Sequence, residues 1–238
     1  MEREIVIDSP RALAAAFAAR FEAATREALP ARGRFACAVP GGSIAEAFFP
    51  ALRGARVDWP RVEVFFTDER AVPPDDPDSN AGLARRLWLD HVPIDPARVH
   101  RMRGEGADLD AAAAEYAAEM ANALGSPPRL DLALLGVGPD GHVCSLFPGH
   151  AAIGERARYV LAVTGSPKPP PRRITLTLPA LAAAHRIAIA AFGAPKAPVV
   201  CEAIENPESP LPVALAARSG PPVLFLLDPP AARLLARR

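Results

Sequence analysis

At 238 residues the chain is long enough for one large α/β domain, and it can bury roughly 70–75% of its unfolded surface without a disulfide or structural metal. Half of it is hydrophobic and its formal net charge is zero, which argues against a broad basic surface for nucleic acid or an anionic membrane. The three cysteines, Cys37, Cys144 and Cys201, form no C-x-x-C pair, so neither a disulfide framework nor a zinc site of ordinary spacing is expected. The segment Met1–Asp8 lacks the apolar stretch and cleavage site of a signal peptide, and no apolar run reaches about 18 residues. These features predict a cytoplasmic chain with no membrane span.

The elements alternate from the start. Glu4 to Asp8 reads as a strand; Ser9 with Pro10 then opens a helix to about Leu29. Phe35 to Val39 is a buried strand, followed by Pro40-Gly41-Gly42-Ser43 and a helix from Ile44. Val62 to Thr67 is a further strand, running into Asp68-Glu69-Arg70. A proline-rich loop, Val72 to Ser79, precedes a helix from Asn80 to Asp90, and Asp108 to Leu124 is helical. Leu130 to Leu135 is a strand leading into Gly136-Val137-Gly138-Pro139-Asp140-Gly141-His142. Strands are predicted over Tyr159–Val163, Ile174–Leu178, Ile187–Ala191 and Val223–Leu227. Helices are predicted from Pro195 to Ile204 and from Pro229 to the C-terminus. Repeated strand-to-helix order predicts an α/β fold with a mostly parallel sheet and helices on both faces. No repeat or long linker divides the chain, so a single domain over residues 1–238 is expected. Ligands of such folds bind beyond the carboxyl ends of the strands, where the polar clusters fall.

Gly41-Gly42-Ser43 follows a strand and opens a helix. Backbone N–H groups, the helix N-terminus and a hydroxyl there suit a phosphate, although most turns of this composition are plain connections. No Gly-Lys-Ser/Thr follows, so it is not a Walker loop. Three charges at Asp68, Glu69 and Arg70 ordinarily mark a solvated loop; at this sheet edge Arg70 could hold a carboxylate or phosphate. The turn around Asp140 and His142 presents a carboxylate and an imidazole two residues apart, a pairing suited to general acid/base work. It lacks the third glycine of a dinucleotide fingerprint, which argues against NAD. His150 is a lesser candidate, and His91, His100 and His185 read as structural or surface residues. Lys168 and Lys196 are the only lysines among 27 basic residues, which draws attention to both places.

The stretches PGGSIAEAFF, VEVFFTDERAVPPDDPDSN, LDLALLGVGPDGHVCSLFPGH, RRITLTLPAL and FGAPKA, with a C-terminal LPVALAARSGPPVLFLLD, closely resemble the 6-phosphogluconolactonase family, in its order and over most of the chain. The family usually has Ser-Gly-Gly-Ser-Thr-Pro where this chain has Pro40-Gly41-Gly42-Ser43-Ile44-Ala45, which removes one hydroxyl. The resemblance implies a fold shared with glucosamine-6-phosphate deaminases and, more distantly, ribose-5-phosphate isomerases. It also implies a sugar-phosphate substrate, hydrolysis of a lactone, and no metal or other cofactor. By that resemblance Gly41, Gly42, Ser43 and Lys196, with Arg173, would hold the phosphate. His142 would be the acid/base residue, with Asp140 and Arg70 beside the lactone, and Asp68 would be among the substrate-binding residues; which of Lys168, Arg172 and Arg173 meets the ligand is left open. A monomer or homodimer is expected. Two rivals are a sugar-phosphate deaminase or isomerase and a non-catalytic sugar-phosphate sensor. Deaminases carry a glutamate five residues beyond the histidine, where this chain has Phe147.

Overall fold

A computed structural model describes residues 3–236. In chain order, β1 (Arg3–Ile7) leads to α1 (Pro10–Arg32), β2 (Phe35–Val39) to α2 (Gly42–Leu52), and β3 (Val62–Phe66) to a short strand β4 (Asp68–Arg70). Then come α3 (Asn80–Leu87), α4 (Leu109–Leu124), β5 (Leu132–Gly136), β6 (Val160–Val163) and β7 (Arg173–Leu176). The chain closes with α5 (Leu178–Ala183), β8 (Ile187–Ala191), α6 (Ala197–Glu205), α7 (Pro212–Ala217), β9 (Val223–Leu227) and α8 (Pro229–Ala232).

Six strands form a parallel sheet in the order β1-β9-β8-β5-β2-β3. Every residue of β2, β3 and β8 is buried, as the continuous apolar runs of β2 and β8 require of strands covered on both faces; β3 also buries Glu63, which pairs with Arg98 and His100. Side chains alternate between two cores. Cys37 and Val39 join Phe17, Phe21, Phe48, Phe49 and Trp88 under α1, α2 and α3. Ala36 and Ala38 join Tyr116, Met120, Ile189 and Phe225 on the other face. From β2 the chain moves outward to β3, whereas from β5 it reaches β8 on the opposite side. The sheet order therefore switches direction between β2 and β5, and a crevice opens at their carboxyl ends.

Three departures from the sequence reading matter. Asp68–Arg70 is not a solvated loop: it is a strand, and Asp68 and Glu69 are buried. The segments read near 160 and 174 do not join the parallel sheet; they form a separate antiparallel sheet in the order β4-β7-β6. Thr67 joins the two sheets, its N–H donating to Val39 O and its carbonyl accepting from Leu176 N. Finally, α5 and α7 were not predicted, and Leu178 begins a helix instead of ending a strand. Thr177 caps α5 by accepting from Ala180 N, with Pro179 in its first turn.

Boundaries moved by a few residues elsewhere. α1 passes through Pro30 and stops at Gly33, whose φ of 75° closes the helix as left-handed caps do. The last helix ends at Ala232, and residues 237–238 of its predicted span lie outside the described residues.

Candidate active site

The crevice holds a cavity of about 180 Å³ lined by residues of the glycine turns, Asp68, Arg70, Asn80, His142, Cys144, Lys168, Arg173 and Lys196. Six separate segments thus meet at the carboxyl ends of β2, β3, β5 and β8.

The first wall is the start of α2. Gly41 caps this helix and has no side chain with which to satisfy its first N–H groups, and no acidic residue follows in the first turn. These donors and the dipole make an anion site. Gly41 is required for another reason: a Cβ there would collide with the side-chain amide of Asn80. Ser43 is exposed at the cavity wall. Opposite lies Lys196, in the turn after β8, its ammonium donating to the carbonyl of Val137. Burial, with Lys168 nearby, lowers its pKa from the ordinary lysine value.

The second wall is the turn after β5. His142 Nδ1 lies 2.6 Å from Asp140 Oδ1. An ionised carboxylate only accepts, so Nδ1 carries the hydrogen and Nε2 keeps its lone pair. Nε2 has no protein partner among the described residues. Burial lowers the His142 pKa below its ordinary 6.5, outweighing Asp140, and Lys168 adds to the lowering. Burial alone would push the Asp140 carboxyl up, but the His142 hydrogen bond and the His142 and Lys168 charges hold it down. At neutral pH this is a carboxylate beside a neutral imidazole, the arrangement of a general base. Gly138 makes it possible: a Cβ there would overlap the His142 ring and the Asp140 carboxylate. Phe147 packs on the imidazole with ring centroids 4.7 Å apart.

The third wall is β4. Asp68 Oδ2 accepts from Ser145 Oγ at 2.7 Å and faces Arg173 Nη1 at 3.7 Å. Its backbone carbonyl and Oδ1 both accept from Asn80 Nδ2, at 2.8 and 3.3 Å. Glu69 points away from the cavity and organises α3, accepting from the N–H groups of Asn80 and Ala81 at 2.8 Å each and from Ser79 Oγ at 3.1 Å. Arg70 reaches the cavity wall; Nη1 donates to Asp78 O at 2.6 Å, and its buried Nε has no partner among the described residues.

Every residue expected at the site therefore lines the cavity except Asp140, which stands directly behind His142. Arg172 does not reach it; its guanidinium donates to Ala107 O. His150 is also elsewhere, capping a turn by accepting from Ala152 N, and His100 is buried between Glu63 and Glu119. Cys144 lines the cavity, but burial and Asp68 push its thiol well above the ordinary value, which leaves it inert as a nucleophile. Sequence reasoning missed Asn80, buried with Oδ1 unpartnered among the described residues, and Glu69 as an anchor. The signal was Ser79-Asn80 at a helix start, read only as a boundary.

Residues 8–224 match the family described as glucosamine-6-phosphate isomerases/6-phosphogluconolactonase. The chain is 41% identical over 238 residues to a 6-phosphogluconolactonase of Streptomyces coelicolor, covering 94% of this chain and 91% of that one. It superimposes on a solved 6-phosphogluconolactonase from Trypanosoma cruzi with a TM-score of 0.88 at 26% identity, over 100% of this chain and 99% of the other. A monomeric glucosamine-6-phosphate deaminase shares the fold, with a TM-score of 0.82 at 21% identity over 98% of this chain and 100% of that one. With one family matching nearly its whole length, the chain belongs to the glucosamine-6-phosphate isomerase/6-phosphogluconolactonase family.

Proposed function

We propose that this protein hydrolyses 6-phosphoglucono-1,5-lactone to 6-phosphogluconate, the lactonase step of the oxidative pentose phosphate pathway. The observation that carries this reading is the His142–Asp140 pair with its apolar neighbour Phe147. In the deaminase branch the position of Phe147 is a glutamate; here a phenyl ring lies on the imidazole and supplies no charge.

The phosphate sits against the N-terminus of α2, whose first N–H groups no cap side chain satisfies, with Ser43 and Lys196 as further donors. Arg173 adds positive potential from the cavity wall. This leaves the lactone carbonyl near His142 and Arg70. Neutral Nε2 takes a proton as water oxygen bonds to the carbonyl carbon. Arg70, whose side chain lines the cavity, stabilises the resulting oxyanion with its positive charge. The tetrahedral intermediate then breaks its bond to the ring oxygen, which receives the proton back from Nε2. The product acid ionises in solution. Water, proton and leaving oxygen balance without a covalent enzyme intermediate.

The same reading makes the chain a single cytoplasmic domain, monomeric or homodimeric, acting on small molecules and not on nucleic acid or membranes. It needs no cofactor. No helix among the described residues is long and apolar enough to cross a membrane.

A two-substrate assay tests it. Purified protein should accelerate disappearance of the lactone and release no ammonia from glucosamine 6-phosphate. Ammonia release, or lactone loss at the spontaneous rate with tight 6-phosphogluconate binding, would contradict it in favour of a deaminase or a sensor respectively.

A further inference from the structure

The loop between β6 and β7, residues 164–172, is clamped by the buried side chain of Arg173. Arg173 Nε donates to Pro170 O at 3.2 Å, and Nη2 donates to Lys168 O at 3.3 Å and Pro169 O at 3.1 Å. Its Nη1 faces Asp68, and its guanidinium lies 5.8 Å from the centre of the Phe147 ring. Ser166 adds a second clamp: its hydroxyl donates to Lys168 O at 2.9 Å and accepts from Lys168 N at 3.2 Å. Most of these ties fix the backbone of Lys168. Its ammonium is directed at the second wall of the cavity, 3.5 Å from Asp140 Oδ1 and 3.3 Å from His142 Nδ1.

We propose that Lys168 is a positioning residue of the His142–Asp140 pair, delivered there by the Arg173 clamp; the proposal rests on the lactonase reading of the site. Asp140 Oδ1 then receives both the imidazole N–H and the ammonium, which fixes the carboxylate and so the plane of the ring. An ammonium this close also opposes a second positive charge on the imidazole. The charged groups bearing on the ring are Asp140 from its own turn, Asp68 from β4 and Lys168 from the loop. Both carboxylates favour the imidazolium, and Lys168 is the charge that opposes them. Phe147 contributes no charge. A ring so poised is a weaker base but a stronger acid when the proton returns to the ring oxygen, and both steps use the same Nε2. Arg173 is thereby accounted for chiefly as a clamp, since most of its N–H groups are engaged within the protein.

The test is kcat and KM for the lactone from about pH 5 to 8, for wild type, Lys168→Met and Lys168→Arg, with circular dichroism to establish folding. Lys168→Met should lower kcat about tenfold at neutral pH, a fraction of the ordinary general-base contribution. It should also move the acidic limb of the kcat/KM profile to higher pH, with competitive inhibition by 6-phosphogluconate little changed. Lys168→Arg should restore the position of the limb. If Lys168→Met raises KM and the inhibition constant while the limb stays put, Lys168 is a substrate ligand and the proposal fails. It also fails if kcat and the limb are both unchanged. Should the Met variant not fold, Lys168→Gln is read against the same outcomes. An inactive wild type would overturn the lactonase reading itself, a result separable from any difference between wild type and variants.

Discussion

In the proposed mechanism His142, with its Nδ1–H committed to Asp140 and its Nε2 without a partner among the described residues, takes the proton from water, so its charge state decides whether the reaction can start. Burial lowers its pKa below 6.5, and a lowered histidine loses its proton sooner as pH rises. The rate should therefore climb with pH through a midpoint below 6.5 and stay flat across neutrality; a kcat/KM profile checks this. Phe147→Glu would place a carboxylate against the imidazole and favour the charged ring. The midpoint should move upward and activity at neutral pH should fall about tenfold, while a profile identical to wild type would refute the assignment of Nε2 as base. Gly138→Ala forces a methyl group into the space of His142 and Asp140. Turnover should drop by about a hundredfold or more, in the range of losing a general base, with the fold retained by circular dichroism.

Among the elements, the contact between β4 and α3 carries the most consequence. Glu69 is buried and collects N–H groups from Asn80 and Ala81 together with the Ser79 hydroxyl, so it closes the N-terminus of α3 and sets Asn80 in place. Glu69→Ala leaves these donors without an acceptor and should destabilise the protein by about 3 kcal/mol. Urea unfolding should show a lower midpoint with an unchanged slope. The same contact explains what the sequence left hidden. The apolar runs of β2, β8 and β9, and the alternation Val-Glu-Val that opens β3, are enough to name the strands nearly to the residue. β4, by contrast, is three charged residues with no alternation, and its strand character comes only from pairing with β7, about a hundred residues away in the chain. The second sheet could not be read from local pattern for that reason. α5 was legible in principle, since Thr177 and Pro179 are a helix start, but the preceding alternation favoured a strand.

Across the whole molecule, two packed layers hold the strand ends that make the site. The α1–α3 side is the more aromatic: Phe21 lies 5.0 Å from Phe35 and 5.8 Å from Trp88 between ring centres, edge to face in both cases. Phe21→Ala should cost about 3–5 kcal/mol, as truncation of a buried phenylalanine does, yet kcat per folded molecule should be unaltered because its aromatic neighbours Phe17, Phe35, Trp59 and Trp88 all lie outside the cavity lining. The candidate site was legible where single segments carry it, in the glycine turn of α2, the Asp140–His142 turn and Arg70. It was not legible where side chains from distant segments meet. Lys168 gains its meaning from Arg173, Asp140 and His142 together, and Asn80 from Asp68 and Gly41.

The most direct test of the account is the rate of hydrolysis of freshly generated 6-phosphogluconolactone by wild type and His142→Ala, beside a control without protein because the lactone also opens spontaneously. Wild type should accelerate the reaction strongly, and His142→Ala should lose about a hundred- to ten-thousandfold of that acceleration while still binding 6-phosphogluconate. A His142→Ala variant that turns over the lactone as fast as wild type would contradict the central claim.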